Sequence, residues 1–352
     1  MKHLTSTHSI LLGYLVLALF LGSCRKAADA IITEPDNPKP KILSFSINPP
    51  TPTDPFTFSF KAAASNYQDV LWSFGDGGTS YELSPAHTFL TTGTFKVNLT
   101  AHNKLGYWAE QEGQITIRPQ DIINFTSELQ ADGSFKLQAA MPVEIQSFSW
   151  YNGSTATDPP ISTTASATIP MLGATSNFAN VTLKIKTPKG AEATYTKIVT
   201  NAGVLNDVTA NGVIVTVSDE NPSGPYSSEG SLKLVDGDIN TKFLLGPGWT
   251  NKFWAQQKTK NPAVVNAYTL VSGNDSKDRD PKDWNLQGSL DGTTWVTLDT
   301  RSNITSDLRK ETKVYLFDNS VAYSYYRMNI TAIRNGSWVQ MSEWRLMSTA
   351  KP

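Results

Sequence analysis

The stretch Asp283-Trp284-Asn285-Leu286-Gln287-Gly288-Ser289-Leu290-Asp291-Gly292-Thr293-Thr294-Trp295 alternates in its first half and turns in its middle. In an extended chain Trp284, Leu286 and Gly288 fall on one side and Asn285, Gln287 and Ser289 on the other, so this is a strand with one apolar face. Asp291-Gly292 supplies a hairpin turn, and Trp295 resumes the next strand. The same alternation appears far upstream, where Phe56, Phe58 and Phe60 interleave with Thr57 and Ser59. With 23 Gly and 20 Pro among many Thr, Ser and Asn, the composition is that of a turn-rich, all-β chain.

Its 352 residues predict two or three domains. Thirty Lys+Arg against 31 Asp+Glu leave a net charge of -1, which excludes the basic excess that nucleic acid demands. The single Cys permits neither an intrachain disulfide nor a thiolate zinc cage. Of four His, His3 and His8 fall in the leader described next, which leaves His87 and His102 for imidazole chemistry.

Residues 1–23 read as an export signal: Met1-Lys2-His3, then an apolar run over Ile10–Leu21 that is too short to span a bilayer. The run ends Leu21-Gly22-Ser23-Cys24, which resembles the bacterial lipobox. That resemblance implies that Cys24 carries acyl (palmitate) chains and becomes the mature N-terminus of an outer-membrane lipoprotein. Asp29, Glu34 and Asp36 after it resemble a surface-export signal, but Arg25 and Lys26 come first, so the inner and the outer face of that membrane both stay open, with surface display the expectation. Residues 24–40 are Pro-rich and mixed in charge, and read as a flexible tether.

At 41–118 the segments W-S-F-G-D-G (Trp72–Gly77), S-P-A-H-T-F (Ser84–Phe89) and G-T-F-K-V-N-L-T-A (Gly93–Ala101) resemble the polycystic-kidney-disease (PKD) domain, an immunoglobulin-like sandwich. The resemblance assigns Asp76 to a structural turn and His87 to a framework position. Residues 119–202 read as a degenerate copy. Phe148-Ser149-Trp150-Tyr151-Asn152-Gly153 echoes Leu71–Gly75 without the Gly-Asp-Gly turn, and Val181–Gly190 aligns without gaps on Val97–Gly106. Stacked sandwiches make a stiff stalk.

Residues 203–352 hold six of the nine Trp. D-G-D-I-N-T (Asp236–Thr241), the stretch ending at Trp295, Y-Y-R-M-N (Tyr325–Asn329) and S-E-W (Ser342–Trp344) resemble, in that order, the discoidin or coagulation-factor type C domain. This is a jelly-roll sandwich also used as a galactose-binding-like, carbohydrate-binding module. Trp284, Trp295 and Trp344 read as core, and Arg327 as held by an internal partner.

The resemblance implies a structural Ca²⁺ on Asp236, Asp238, Thr241 and Glu343, for such a loop offers the hard oxygens Ca²⁺ takes. A turn capped by hydrogen bonds alone is the other reading of the same residues. A sugar site wants an aromatic face ringed by planar amides, carboxylates or Arg, and in this family it lies on loops at one end of the sandwich. Trp249, Trp254, Asp275, Arg279, Asn335 and Trp338 are the candidates, although Trp254 also reads as a strand residue and Arg279 as a structural partner of Asp280 or Asp283.

The expected protein is noncatalytic: a surface lipoprotein that binds a glycan through its C-terminal module, held by its lipid at the membrane and able to work beside other outer-membrane glycan-uptake components. The other reading is an adhesin whose same module binds a protein or host surface. An enzyme finds no room, since β-sandwich modules occupy all three regions.

Overall fold

The computed structural model describes residues 38–156, 159–170, 172, 177–247 and 252–349. Among these residues the only α-helix is the single turn Pro119–Ile122, and antiparallel sheets make up the rest of the regular structure apart from three short 3-10 turns.

The first sandwich packs Lys41–Asn48, Thr57–Ser65 and Ala86–Thr88 against the sheet of Thr79–Ser80, Asp69–Ser73, Gly93–His102 and Trp108–Ile117. Strand alternation buries Phe58, Phe60, Trp72, Val97 and Leu99 between the layers. Trp72 meets Phe45 and Phe60 at ring-centroid distances of 5.3 and 5.2 Å. The Gly-Asp-Gly turn needs its glycines. Gly75 sits at φ 84°, and a Cβ there would lie 2.5 Å from the Lys96 carbonyl oxygen. A Cβ on Gly78 would lie 2.5 Å from the His87 ring.

The middle sandwich repeats this plan. Trp150 is fully buried and pairs across the sheet with Leu183, as Trp72 pairs with Leu99. Its strands Phe125–Leu129, Phe135–Ala139 and Ser166–Ile169 cover Ser147–Asn152, Phe178–Lys186 and Glu192–Thr200. The cores of the two sandwiches form one continuous apolar cluster, and the Glu192 N–H donates to the Leu90 carbonyl across the junction.

In the C-terminal sandwich one sheet runs Val213–Val217, Phe253–Val264, Ala322–Ile333, Pro281–Ser289, Val296–Arg301. The facing layer is Glu343–Thr349, Ala267–Val271 and Thr312–Leu316. Between them lie Phe253, Tyr268, Trp284, Tyr326, Met328, Trp344 and Leu346. The facing layer does not stop at the domain. Gly203–Asp207 pairs with Glu192–Thr200 on one side and Glu343–Thr349 on the other, which joins both domains in a seven-stranded sheet. Leu205 is buried in this seam, and Asp207 accepts a hydrogen bond from Arg345 Nε.

Two sequence expectations fail here. Trp295 is only half-buried, and Arg327 points out of the sandwich rather than into it. The Arg327 guanidinium lies between the rings of Trp254 (4.2 Å) and Trp295 (3.9 Å) and donates to Gln256 Oε1 at 2.8 Å. Tyr326 and Met328 are the inward residues of that strand, so its alternation sends Arg327 outward.

Candidate functional site

Trp338 follows the strand Ala322–Ile333 on a loop and is half-buried. It stands where it does because residue 246 is glycine: a Cβ there would lie 2.3 Å from the indole. The Arg279 guanidinium lies 5.3 Å from the Trp338 ring centroid, within cation–π range. Arg279 Nη1 reaches Asp275 Oδ2 at 3.3 Å, and the same oxygen takes the Lys242 ammonium at 2.6 Å. Burial alone would raise the Asp275 pKa, but Lys242 and Arg279 hold it below the usual carboxylate value. Asn335 is exposed on the same loop as Trp338; its N–H donates to the Asp278 carbonyl at 2.8 Å, which ties that loop to the 274–280 loop.

A buried pair fixes this loop from below. Both Asp280 carboxylate oxygens accept from Arg309, and Gln340 donates to Asp280 Oδ1 at 3.3 Å and to the Ser276 carbonyl at 2.7 Å. The structure therefore brings Asp275, Arg279, Asn335 and Trp338 onto adjoining loops. It places Trp254 elsewhere, on the outer face of the five-stranded sheet in the stack with Arg327. Trp249 lies outside the described residues, as does Cys24. Arg279 pairs with neither Asp280 nor Asp283 but with Asp275. Sequence reasoning missed Lys242, Gly246 and Arg309. Gly246 had a signal of a kind, standing directly before Pro247, whereas Lys242 and Arg309 lie far from Asp275 and Asp280 in the chain.

The Asp236–Thr241 loop closes on itself. Thr241 Oγ1 lies 2.9 and 3.0 Å from the two Asp236 carboxylate oxygens and 3.0 Å from the Asp238 carbonyl oxygen. The Asp238 carboxylate turns to the Asn240 N–H (2.9 Å) and amide (2.7 Å). Glu343 is buried. It accepts from the Gly237 N–H at 2.7 Å and lies beside Arg345 Nη1 at 3.2 Å. Burial pushes its pKa up to about 7, against the pull of Arg345, and hydrogen bonding to the Asp236 carboxyl pushes the same way.

The oxygens near this loop are of the hard kind Ca²⁺ takes: the Thr241 hydroxyl, the Asp238 carbonyl and the carboxyls of Asp236 and Glu343, each already engaged by a neighbour. Lys233 at 3.1 Å from Asp236 Oδ2, and Arg345, already neutralise part of that charge. Among the described residues no three His, Cys, Asp or Glu side chains are grouped for a metal, so backbone and hydroxyl oxygens would have to complete the shell.

Asp76 and His87 use up each other's capacity. Their side chains bond at 2.7 Å, Asp76 Oδ1 accepts from the Gly78 N–H, and the imidazole stacks on Phe74 at 4.0 Å. Burial alone would raise the Asp76 pKa, yet the His87 and Gly78 bonds hold it low. His102 sits 3.4 Å from Asp69 at the end of its strand.

Comparison with known proteins matches the family model "PKD domain" to residues 37–118 and the family model "F5/8 type C domain" to residues 214–344. A peptide-N(4)-(N-acetyl-beta-glucosaminyl)asparagine amidase of Arabidopsis thaliana is 48% identical over 108 residues, 30% of this chain and 14% of that protein. Collagenase ColA of Bacillus cereus is 35% identical over 60 residues, 16% of this chain and 6% of that protein. The chain thus spans only a small part of either relative's length. Among solved structures, a CBM32 domain of Clostridium perfringens in complex with GalNAc-beta-1,3-galactose is 15% identical and covers 41% of this chain and 100% of its own, at a TM-score of 0.36. An F5/8 type C domain of Bacteroides fragilis is 14% identical and covers 42% of this chain and 98% of its own, also at a TM-score of 0.36. With the buried Trp72 behind its Gly-Asp-Gly turn in one sandwich, and Trp284, Tyr326 and Trp344 inside the other, residues 37–118 are a PKD domain and residues 214–344 an F5/8 type C domain.

Proposed function

We propose that this chain is a noncatalytic, lipid-anchored surface protein that binds a glycan through the loop end of its C-terminal domain. The observation that carries the reading is the placement of Trp338, an aromatic platform set over Gly246, with Arg279 and Asp275 tethered beside it and Asn335 on the same loop. A pyranose stacks its apolar face on an indole while guanidinium, carboxylate and amide groups take its hydroxyls. The near-neutral charge of the chain favours a neutral sugar over a polyanionic one. A shallow site implies weak affinity, on the order of 0.1–1 mM, which many copies on one surface raise by effective concentration.

A glycan array followed by calorimetric titration tests this. Trp338→Ala and Arg279→Ala should each weaken binding about tenfold or more while the melting temperature holds. No heat with any glycan, together with tight binding of a protein partner, would overturn it in favour of the adhesin reading.

The reading also includes a structural Ca²⁺ held by Asp236, Thr241, Glu343 and the Asp238 carbonyl. The ion would tie the 236–241 loop to the strand Glu343–Thr349. Millimolar calcium should then raise the melting temperature over that in chelator, by the equivalent of about 2.7 kcal/mol at a hundredfold excess over Kd. Anchoring rests on Cys24, and Cys24→Ala should release the protein from membranes.

A further inference from the structure

The end of the PKD domain at which the described chain begins carries an apolar and basic surface that the function above does not use. Register fixes which residues share that end. Lys41 pairs with Ser65, Asp69 with His102, and His102 with Trp108, whereas Ile117 pairs with Gly93 at the opposite end. The opposite end is engaged with the middle sandwich, through Glu192 on Leu90 and Lys189 on Asp54. Among the described residues, the end near Pro38 has no such engagement.

The turn Asn103–Trp108 there is rigidly built. Asn103 Oδ1 accepts from the Leu105 and Tyr107 N–H groups at 3.0 and 3.1 Å, and the Asn103 N–H donates to the Tyr107 carbonyl. Gly106 takes φ 80° to close it. This bracing holds Leu105 (58% exposed), Tyr107 (42%) and Trp108 (63%) in solvent, and Leu43 (58%) is exposed where a register shift breaks the neighbouring strand. One exposed apolar side chain is ordinary; four on one sandwich end, with the chain's entry point among them, mark a docking surface.

Charge says what docks. Lys39 lies 5.4 Å from the Tyr107 ring centroid, and Lys41 and Lys104 join it at this end. A surface cavity of about 270 Å³ opens between Pro38, Asn66, Tyr67, Gln68, Asn103 and Lys104. Asn103 is 9% exposed, and its buried Nδ2 has no hydrogen-bond partner among the described residues. The lysines at this end suit anionic phosphate, and Trp, Tyr and Leu beside them suit the acyl boundary just beneath.

We infer that this end of the PKD domain rests on a lipid bilayer, with Leu105, Tyr107 and Trp108 in the interface and Lys39, Lys41 and Lys104 toward anionic phospholipid headgroups. The chain geometry agrees, resting in this respect on the anchoring of Cys24: thirteen residues separate Cys24 from Pro38, at most about 45 Å when extended. The contact holds the stalk by two points, a lipid and a protein tip.

Site-directed spin labelling of the full chain tests this apart from the anchor. In a Cys24→Ala background, a nitroxide is placed at Leu105→Cys or, as a control on the C-terminal domain, at Tyr226→Cys, which is 88% exposed. The probe is a vesicle of mixed phosphatidylcholine and phosphatidylglycerol. The label at 105 should be open to an aqueous relaxation agent without vesicles, and with them become shielded from it and open to oxygen, while the label at 226 stays aqueous. Adding Trp108→Ser should return the label at 105 toward water. A label at 105 as aqueous as the one at 226 in the presence of vesicles would overturn the inference. So would one already shielded without them, which would mean that the chain's own residues or a second copy cover the surface. Failure of Cys24→Ala to release the protein in cells would bear on the anchor and not on this result.

Discussion

The first and middle sandwiches share a core and differ at their edges. Each buries one Trp opposite one Leu, Trp72 with Leu99 and Trp150 with Leu183. The first closes its rim with the Asp76–His87 pair under the glycine turn. The middle one lacks that turn. There the Trp150 indole N–H donates to the Thr164 carbonyl at 2.9 Å, whereas Trp72 Nε1 is buried without a partner among the described residues. Its sheet also stays open at one side, where Gly203–Asp207 adds on and passes the hydrogen bonding to the C-terminal domain. Apolar periodicity sets the fold of such a module, and a few polar residues at the rim decide whether it ends or continues into its neighbour.

The largest expected effects fall on what the two share. Trp72→Ala and Trp150→Ala should each cost about 3–5 kcal/mol, read by denaturant unfolding, because each empties the centre of a packed core. A much smaller loss at Trp150 would mean that the middle sandwich is not the same structure.

The seam comes next. Asp207→Ala removes the acceptor of Arg345 Nε and of the Ala210 N–H, both part-buried. It should cost about 2–3 kcal/mol and resolve separate calorimetric transitions for the middle and C-terminal domains. A single unchanged transition would show that the seam rests on the strand ladder alone.

Lys197 offers a subtler contrast, since the first sandwich has nothing like it. Buried in the middle sandwich, it donates to Asn124 and Asn206 Oδ1, each at 2.8 Å, and burial pushes its pKa down to about 8. Between pH 8 and the unfolded value of 10.5 the unfolded chain binds the extra proton, so this group makes stability rise with pH across that window. The rise should be on the order of 1–3 kcal/mol and vanish in Lys197→Met. Above pH 10 the sign reverses. Burial pushes the phenols of Tyr195 and Tyr326 up to about 12, so the unfolded state loses those protons first and stability falls.

The smallest effect separates the two indoles. Trp150→Phe should cost about 1 kcal/mol more than Trp72→Phe, because only Trp150 strands a carbonyl that its N–H had satisfied. Equal losses would show that the indole N–H bond contributes nothing.

Much of this was legible in the sequence because alternation reports burial directly. Trp284 and Leu286 are inside and Asn285 and Gln287 outside, as their spacing dictates, and Asp291 Oδ1 accepts from the Thr293 and Thr294 N–H groups, each at 2.8 Å, in the turn the Asp-Gly pair announced. Trp295 was misjudged because the size of an indole was read as burial. Gly288, on the inward face, pairs with Val296, so alternation turns Trp295 outward, where it meets Arg327. At the loop end, residue types pointed to Asp275, Arg279 and Trp338, but nothing in spacing showed that Lys242 would hold Asp275, since that bond depends on two distant loops arriving together. Trp254 was grouped with the loops because it follows the glycine-rich 246–248 segment, and only the register opposite Asn329 shows it on the sheet face.

The strand Gly203–Asp207 also bears on what happens when a bound ligand is pulled. Tension applied at the C-terminal domain reaches the middle sandwich through several backbone hydrogen bonds loaded together, backed by the Asp207–Arg345 pair, and not through a slack linker. A joint of that kind has little compliance. If the chain is anchored at a surface and binds a ligand as proposed, this joint would hold the loop end at a fixed angle to the two preceding sandwiches, so that neighbouring copies would present their sites with a common orientation and share a load almost simultaneously.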